Sequence, residues 1–420
     1  MCRLPDDSEF SLARVTFGKQ HRFRYRNRWQ DVLNSALPQG VRARFPPAIA
    51  TITSPNTNEM VVWLWHRGVP GTGTPARYGL AVADEHGLEA PLHRPNVTCS
   101  VRPGVEINGW QFHEWPRRSK TLHLRIYGLA PTNLTRVAEF MISNPSGKLS
   151  PGWRPEPLPA IKRSNDLQLT LTQLETGLTG MELGFTPSYP VRKPLTHAHF
   201  EVKEAEAATG NWRVSAVTAT SPWDENWRSG SGSSGWTNWV HGVDVDFLAA
   251  LWLDEPAWKL RVEVTRAANF PANELWKING VPVPKPKEMI EMHVVTNING
   301  IEVEFTGVSG SNAFLNDRWY TGSPSYSNLH LRSPYPADNI HITVVDVVDD
   351  RGRHAESAGN SIVPSAGGRG ITLKELIQGF ALKIPEDAKT MDVTFAVTRS
   401  RYFEFLAKPV TADRLKAASK

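Results

Sequence analysis

The strongest constraint on this chain is an eleven-residue segment that occurs three times. Residues 116–126 read PRRSKTLHLRI and residues 385–395 read PEDAKTMDVTF. They align without a gap: Pro116 with Pro385, Ser119 with Ala388, and Lys120-Thr121 with Lys389-Thr390. Leu122, Leu124 and Ile126 then fall on Met391, Val393 and Phe395. A fainter copy, DEPAWKLRVEV at 254–264, keeps Ala257, Leu260, Val262 and Val264 in register. In each copy a turn feeds a segment whose apolar residues recur at every second position, the period of a strand with one buried face. Internal repetition of this kind sets the number of structural units before any other argument.

Each copy is followed by an apolar segment that runs to a proline: VAEFMISNP (137–145), WKINGVP (276–282) and FEFLAKP (403–409). The natural reading is a β-hairpin closing each of three modules, with proline stopping the last strand because it cannot donate to a ladder. Proline-dense stretches come next, at Pro145, Pro151, Pro155, Pro157 and Pro159 and at Pro282, Pro284 and Pro286. Such stretches act as extended, semi-rigid spacers. The expected organisation is a first module at 1–149, a linker at 150–164, a second module at 165–282, a linker at 283–288, a third module at 289–410 and a tail at 411–420. A length of 420 residues suits about three domains.

The expected fold is all-β: three consecutive antiparallel β-sandwich modules of immunoglobulin-like architecture, with a barrel or jelly roll as the competing all-β answer. Short runs rich in β-branched and aromatic residues, such as Met60–Trp65, Leu122–Tyr127, Leu167–Thr172, Trp258–Val264 and Asn339–Val345, recur between 31 glycines and 32 prolines. The Cys…Trp…Cys core of antibody domains is absent, since the only cysteines are Cys2 and Cys99. A free, half-buried thiol is the reading for each, with a single Cys2–Cys99 disulfide as the alternative. Two segments carry helical signals, Trp29–Leu37 and Ile371–Gly379; in the second, Thr372 and Glu375 form a T-x-x-E capping box and Gly379 can end the helix.

Charge and hydropathy narrow the function classes. The formal net charge is +5, and all of it lies in residues 1–48, with nine Lys/Arg against four Asp/Glu; the remainder has 38 of each. A neutral body with one basic strand argues against nucleic acid as a partner. The longest apolar run, Phe247–Leu253, is seven residues, against the 18 or more of a membrane helix. The opening residues MCRLPDDSEF have acids and a proline where an export signal has an apolar core. Phosphate-binding glycine loops, HExxH and GxSxG are all missing. No cofactor, metal or catalytic residue is expected.

Two regions carry candidate binding residues. Of 15 tryptophans, eight lie between Trp212 and Trp276, and Trp223, Trp227, Trp236 and Trp239 crowd one stretch together with Asp224 and Asn226. Flat apolar rings beside polar groups suit a sugar; the competing reading is four rings stapling a long loop. In HRFRYRNRW (21–29), strand geometry puts Arg22, Arg24, Arg26 and Arg28 on one face and Phe23, Tyr25 and Trp29 on the other. That face suits an anionic partner or, more simply, a charged edge strand that resists aggregation. His197 and His199 form an H-x-H pair whose further metal ligands the sequence does not identify. Asp346, Asp349 and Asp350 read as turn formers in DVVDDRG.

Residues 4–23, LPDDSEFSLARVTFGKQHRF, with 154–171, RPEPLPAIKRSNDLQLTL, resemble a group of uncharacterised bacterial proteins that carry an LPDG-type start, a VTFG-x-x-H-x-F segment and a P-x-P-LPA linker behind a membrane anchor. The resemblance covers the first module and linker and implies an anchored, exported β-rich protein. Here Asp7 stands where the glycine would be, and no anchor precedes Leu4. The expectation is therefore a cell-envelope protein, or a cytoplasmic one if the start is complete. The functional expectation is a non-catalytic binding or structural protein whose partner is a glycan or another envelope protein. The alternatives are a carbohydrate-binding protein using the second-module tryptophans and a hydrolase with a loop-assembled site.

Overall fold

The computed structural model describes residues 2–412 apart from 5–6, 25–35, 37, 39–48, 55–58, 69–77, 91, 103, 114, 131–132, 145–151, 180–193, 206, 209, 223–241, 248–249, 311–313, 316–317, 320–325, 335–338, 365–374 and 386. The protein is all-β and built of antiparallel sheets, with a short 3-10 turn at Ala272–Glu274 among the elements with described bounds. No described helix is long and apolar enough to cross a membrane. Chain contacts divide it into two units, the first comprising Met1–Ala208, Ser215–Val262 and Phe403–Lys420, the second Thr209–Val214 and Glu263–Tyr402.

In the first unit, a five-stranded sheet is ordered Cys2–Arg3, Glu9–Phe17, Met60–Arg67, Val105–Phe112, Val97–Arg102. A three-stranded sheet is ordered Asn133–Ser143, Thr121–Ala130, Tyr78–Ala83. Met60, Val62, Leu64, Trp110 and Phe112 of one pack with Leu80, Val82, Leu122, Leu124 and Ile126 of the other. On the opposite face, Val61 and Trp63 pack with Ala50, Ile52 and Ile107. The MVVWLW run thus lacks polar alternation because its strand is buried on both faces. Cys2 and Cys99 are both half-buried and free.

A second sheet system of this unit runs Ala160–Ser164, Leu167–Thr179, Pro194–Glu204, Ala207–Ala208, with Val243–Phe247 added to Pro194–Glu204. The last described strand, Val410–Thr411, pairs in parallel with Leu167–Thr179, matching Val410 to Glu175 and Thr411 to Thr176. In the second unit, a five-stranded sheet is ordered Met289–Ile298, Ile301–Gly310, Tyr326–Pro334, Glu375–Lys383, Glu356–Pro364. A three-stranded sheet, Leu275–Pro282, Thr390–Arg399, Ile340–Asp349, shares its core through Phe305, Phe380, Phe395, Val393 and Trp276.

The repeat forms strands in all three copies but a hairpin in only one. Thr121–Ala130 pairs with Asn133–Ser143, as expected. The other two copies exchange partners. Trp258–Arg266 pairs with Arg401–Ala407 and Trp212–Thr220, while Thr390–Arg399 pairs with Leu275–Pro282 and Ile340–Asp349. The alternation in each strand is satisfied by either partner, so local pattern alone does not choose between them.

The helix expected at Ile371–Gly379 is also corrected. Residues 371–374 lie outside the described ones, but Glu375–Lys383 is a strand paired on both sides, with Tyr326–Pro334 and with Glu356–Pro364. Phe380 and Leu382 alternate into the core. Two ladders outweigh a capping box worth about 1 kcal/mol. The other helical segment, Trp29–Leu37, lies outside the described residues except for Ala36.

Candidate functional site

Strand ends converge in the second unit around a cavity of about 220 Å³. Trp212 opens the strand Trp212–Thr220, Arg266 closes Trp258–Arg266, Arg399 closes Thr390–Arg399, and Arg401 opens Arg401–Ala407. Glu274 joins them from the 3-10 turn, whose backbone is closed by Glu274 N–H donating to the Pro271 carbonyl at 2.9 Å. All five line the cavity. A strand that ends at a rim exposes its last side chain there, and long arginines reach over the opening while their stems stay on apolar surface. The floor is apolar, formed by the buried Ile301 and Val397.

Trp212 is 4% exposed, and the guanidinium carbons of Arg266 and Arg401 each lie 4.5 Å from its ring centroid. An indole quadrupole stabilises a cation held over it by about 0.5–2 kcal/mol, more as water is removed. The arginines are therefore positioned by the ring as well as by their strands. Arg266 Nε stands 3.6 Å from Glu274 Oε2, an ion pair too long for a hydrogen bond. Burial pushes the Glu274 carboxyl up from its usual range, and the charges of Arg266 and Arg401 oppose that rise. Among the described residues, three arginines against one carboxylate leave the lining cationic. Such a site attracts an anion and gives it planar, forked donors that match a carboxylate or phosphate.

None of the described sequence-derived candidates lines this cavity. Trp223, Trp227, Trp236, Trp239, Asp224 and Asn226 all lie outside the described residues, as do Arg26 and Arg28. Arg22 and Arg24 are exposed on Gln20–Arg24, which pairs with Ile49–Thr53. On its other face His21 is buried and Phe23 stacks on Trp63, with centroids 5.5 Å apart at 24°.

The H-x-H pair has partners the sequence did not reveal. Strand Val243–Phe247 lies antiparallel to Pro194–Glu204 with His197 opposite Asp246 and His199 opposite Asp244. His197 Nδ1 is 2.9 Å from Asp246 Oδ1, and His199 Nδ1 is 2.6 Å from Asp244 Oδ1. The available signal was the matching period-two VDVDF, which puts two acids on one face. The aspartates of DVVDDRG act on backbone and neighbours: Asp349 accepts from the N–H groups of Arg351 and Arg353, Asp350 from that of Lys389, and Asp346 pairs with His354.

None of the cavity residues was singled out from sequence. Their only sign is an arginine or tryptophan at the boundary of an alternating segment, as in TRAANF and RSRYF. The exchange of partners between two repeat copies is what gathers them. The fold and this cavity define an all-β protein with a cationic, aromatic-braced site. No family model, curated protein or solved structure matches the chain.

Proposed function

We propose that this chain is a non-catalytic binding protein, assembled from immunoglobulin-like β-sandwich modules, that captures a ligand bearing a carboxylate or phosphate in the cavity lined by Arg266, Arg399 and Arg401. The observation that carries the reading is the excess of arginines, two of them braced on Trp212 at 4.5 Å. Among the described residues the lining includes a single carboxylate, Glu274. Glycoside hydrolysis ordinarily uses two acids about 5–9.5 Å apart, so this composition favours binding over cleavage. The resemblance of residues 4–23 and 154–171 to anchored envelope proteins supports the cell envelope as the setting, where acidic saccharides are one class of ligand with the required charge.

Calorimetric titration of the full chain with glucuronate-containing oligosaccharides, and separately with inorganic phosphate, tests this. Arg399 is exposed, so Arg399→Ala is expected to leave the fold intact. Binding is expected to weaken tenfold or more in that variant and to fall with added salt. Affinity that ignores both the substitution and salt, or an absence of binding by either ligand, removes the reading.

A further inference from the structure

We propose that Glu85, His86 and Asp254 form a binding site for a divalent transition-metal ion of the zinc type, backed by the buried carboxylate of Asp84. Each of the three offers one ligand atom, and those atoms all lie within 4.8 Å of one another. His86 Nε2 is 3.2 Å from Asp254 Oδ1. A tetrahedral ion with bonds of about 2.0–2.1 Å holds its ligand atoms roughly 3.3 Å apart. Exposed Glu85 and His86 need only small rotamer changes to reach that spacing.

Asp84 supplies a second, independent observation. It is completely buried. Its Oδ1 accepts the backbone N–H groups of His86 at 2.9 Å and Leu88 at 2.8 Å, which fixes the turn that presents Glu85 and His86. Gly87, at φ +82, closes that turn by donating to the Asp84 carbonyl. Asp84 Oδ2 has no hydrogen-bond partner among the described residues. Its charge interacts with those of His86 and Asp254. A buried carboxylate oxygen without a donor is costly, and a cation at this cluster supplies what it lacks.

The opposite wall is equally fixed. Asp254 Oδ2 accepts from Ser119 Oγ at 3.0 Å, the outer hydrogen bond that orients a ligating carboxylate. The next residue, Glu255, is held by Arg118 Nε at 2.9 Å. A neutral imidazole beside carboxylates suits zinc or cobalt, whereas calcium and magnesium take oxygen alone. Partial exposure of Glu85, His86 and Asp254 leaves room for entry and for coordinated water.

The test is titration of the metal-free full chain with Zn²⁺, Co²⁺ and Ca²⁺, followed by calorimetry and, for Co²⁺, visible absorption. Stoichiometric zinc binding and a cobalt spectrum are expected, with calcium at least a hundredfold weaker. His86→Ala and Asp254→Asn should each weaken zinc at least tenfold, and Asp84→Asn several-fold, with unchanged far-ultraviolet spectra. The double variant His197→Ala, His199→Ala should bind as the parent does. Absent zinc binding, binding indifferent to His86→Ala, or binding lost instead in the His197/His199 variant would overturn the assignment.

Discussion

Glu274 in the second unit and Asp84 in the first are both carboxylates that burial pushes upward, and their neighbours treat them in opposite ways. Around Glu274 the charges of Arg266 and Arg401 work against the rise. Asp84 is driven by burial to about 6; the charge of Asp254 adds to that, while backbone donors at Leu88 and His86 and the charge of His86 oppose it. One acid is surrounded by cations in excess, the other by further acids and one imidazole. A buried charge that is over-compensated makes a site for anions, and one that is under-compensated makes a site for cations. The same residue chemistry thus underlies both proposals, an anion at one site and a cation at the other.

The largest expected effect tests how firmly the first region is held. Glu255 is 2% exposed and is paired with Arg118 beside Asp254. Removing one partner of a buried ion pair is strongly destabilising, so Arg118→Ala should cost about 3–5 kcal/mol of unfolding free energy by denaturant titration. A cost under 1 kcal/mol would mean that water reaches Glu255, and that the first region is looser than the second.

A smaller effect separates the two regions by pH. In the second unit His330 is 2% exposed with a ring nitrogen 2.7 Å from Ser309 Oγ, and burial lowers its pKa to about 4. His341 is lowered to about 4 by burial and by the charge of Arg213. Both folded values lie below the unfolded 6.5. The unfolded chain then binds more protons between pH 6.5 and 4, and stability must fall as pH drops through that window. His330 alone should contribute on the order of 2–3 kcal/mol. Hydrogen exchange along Ile301–Gly310 and Tyr326–Pro334 should accelerate accordingly, and His330→Gln should flatten the slope. An unchanged slope in that variant would contradict a neutral buried imidazole.

The smallest effect sharpens the contrast between holding a fold and holding a ligand. Arg399→Ala should change stability by only about 0–1 kcal/mol, as for exposed charges generally, although Arg399 lines the cavity proposed to take an anion. A larger loss would assign Arg399 to the scaffold.

The strands were legible in the sequence because period-two alternation is a local property. Partner choice was not. Leu260, Val262 and Val264 bury themselves equally well beside Arg401–Ala407 or beside the adjacent WKINGVP segment, so the repeat located strands without assigning their neighbours. The T-x-x-E signal at Thr372 and Glu375 misled for a related reason, since two flanking strands decide the conformation from outside the segment. The cavity inherits this limit: Trp212, Arg266 and Arg401 meet only after the exchange. Asp84 and Asp254 lie 170 positions apart, and nothing at either place announces the other.

The parallel pairing of Val410–Thr411 with Leu167–Thr179 has a consequence for the order in which the protein is made. Ala412 N–H also donates to the Thr176 carbonyl at 3.0 Å, and Phe405 packs with Phe200, centroids 6.1 Å apart. A chain emerging from the ribosome has delivered the whole of Glu263–Tyr402 before these residues appear. The first unit therefore begins to fold first and is completed last. Until Phe403–Ala412 emerge, it waits with the Thr176 edge open and two buried phenylalanines, Phe403 and Phe405, missing, a vulnerable interval in which chaperone contact acts on a nearly finished fold.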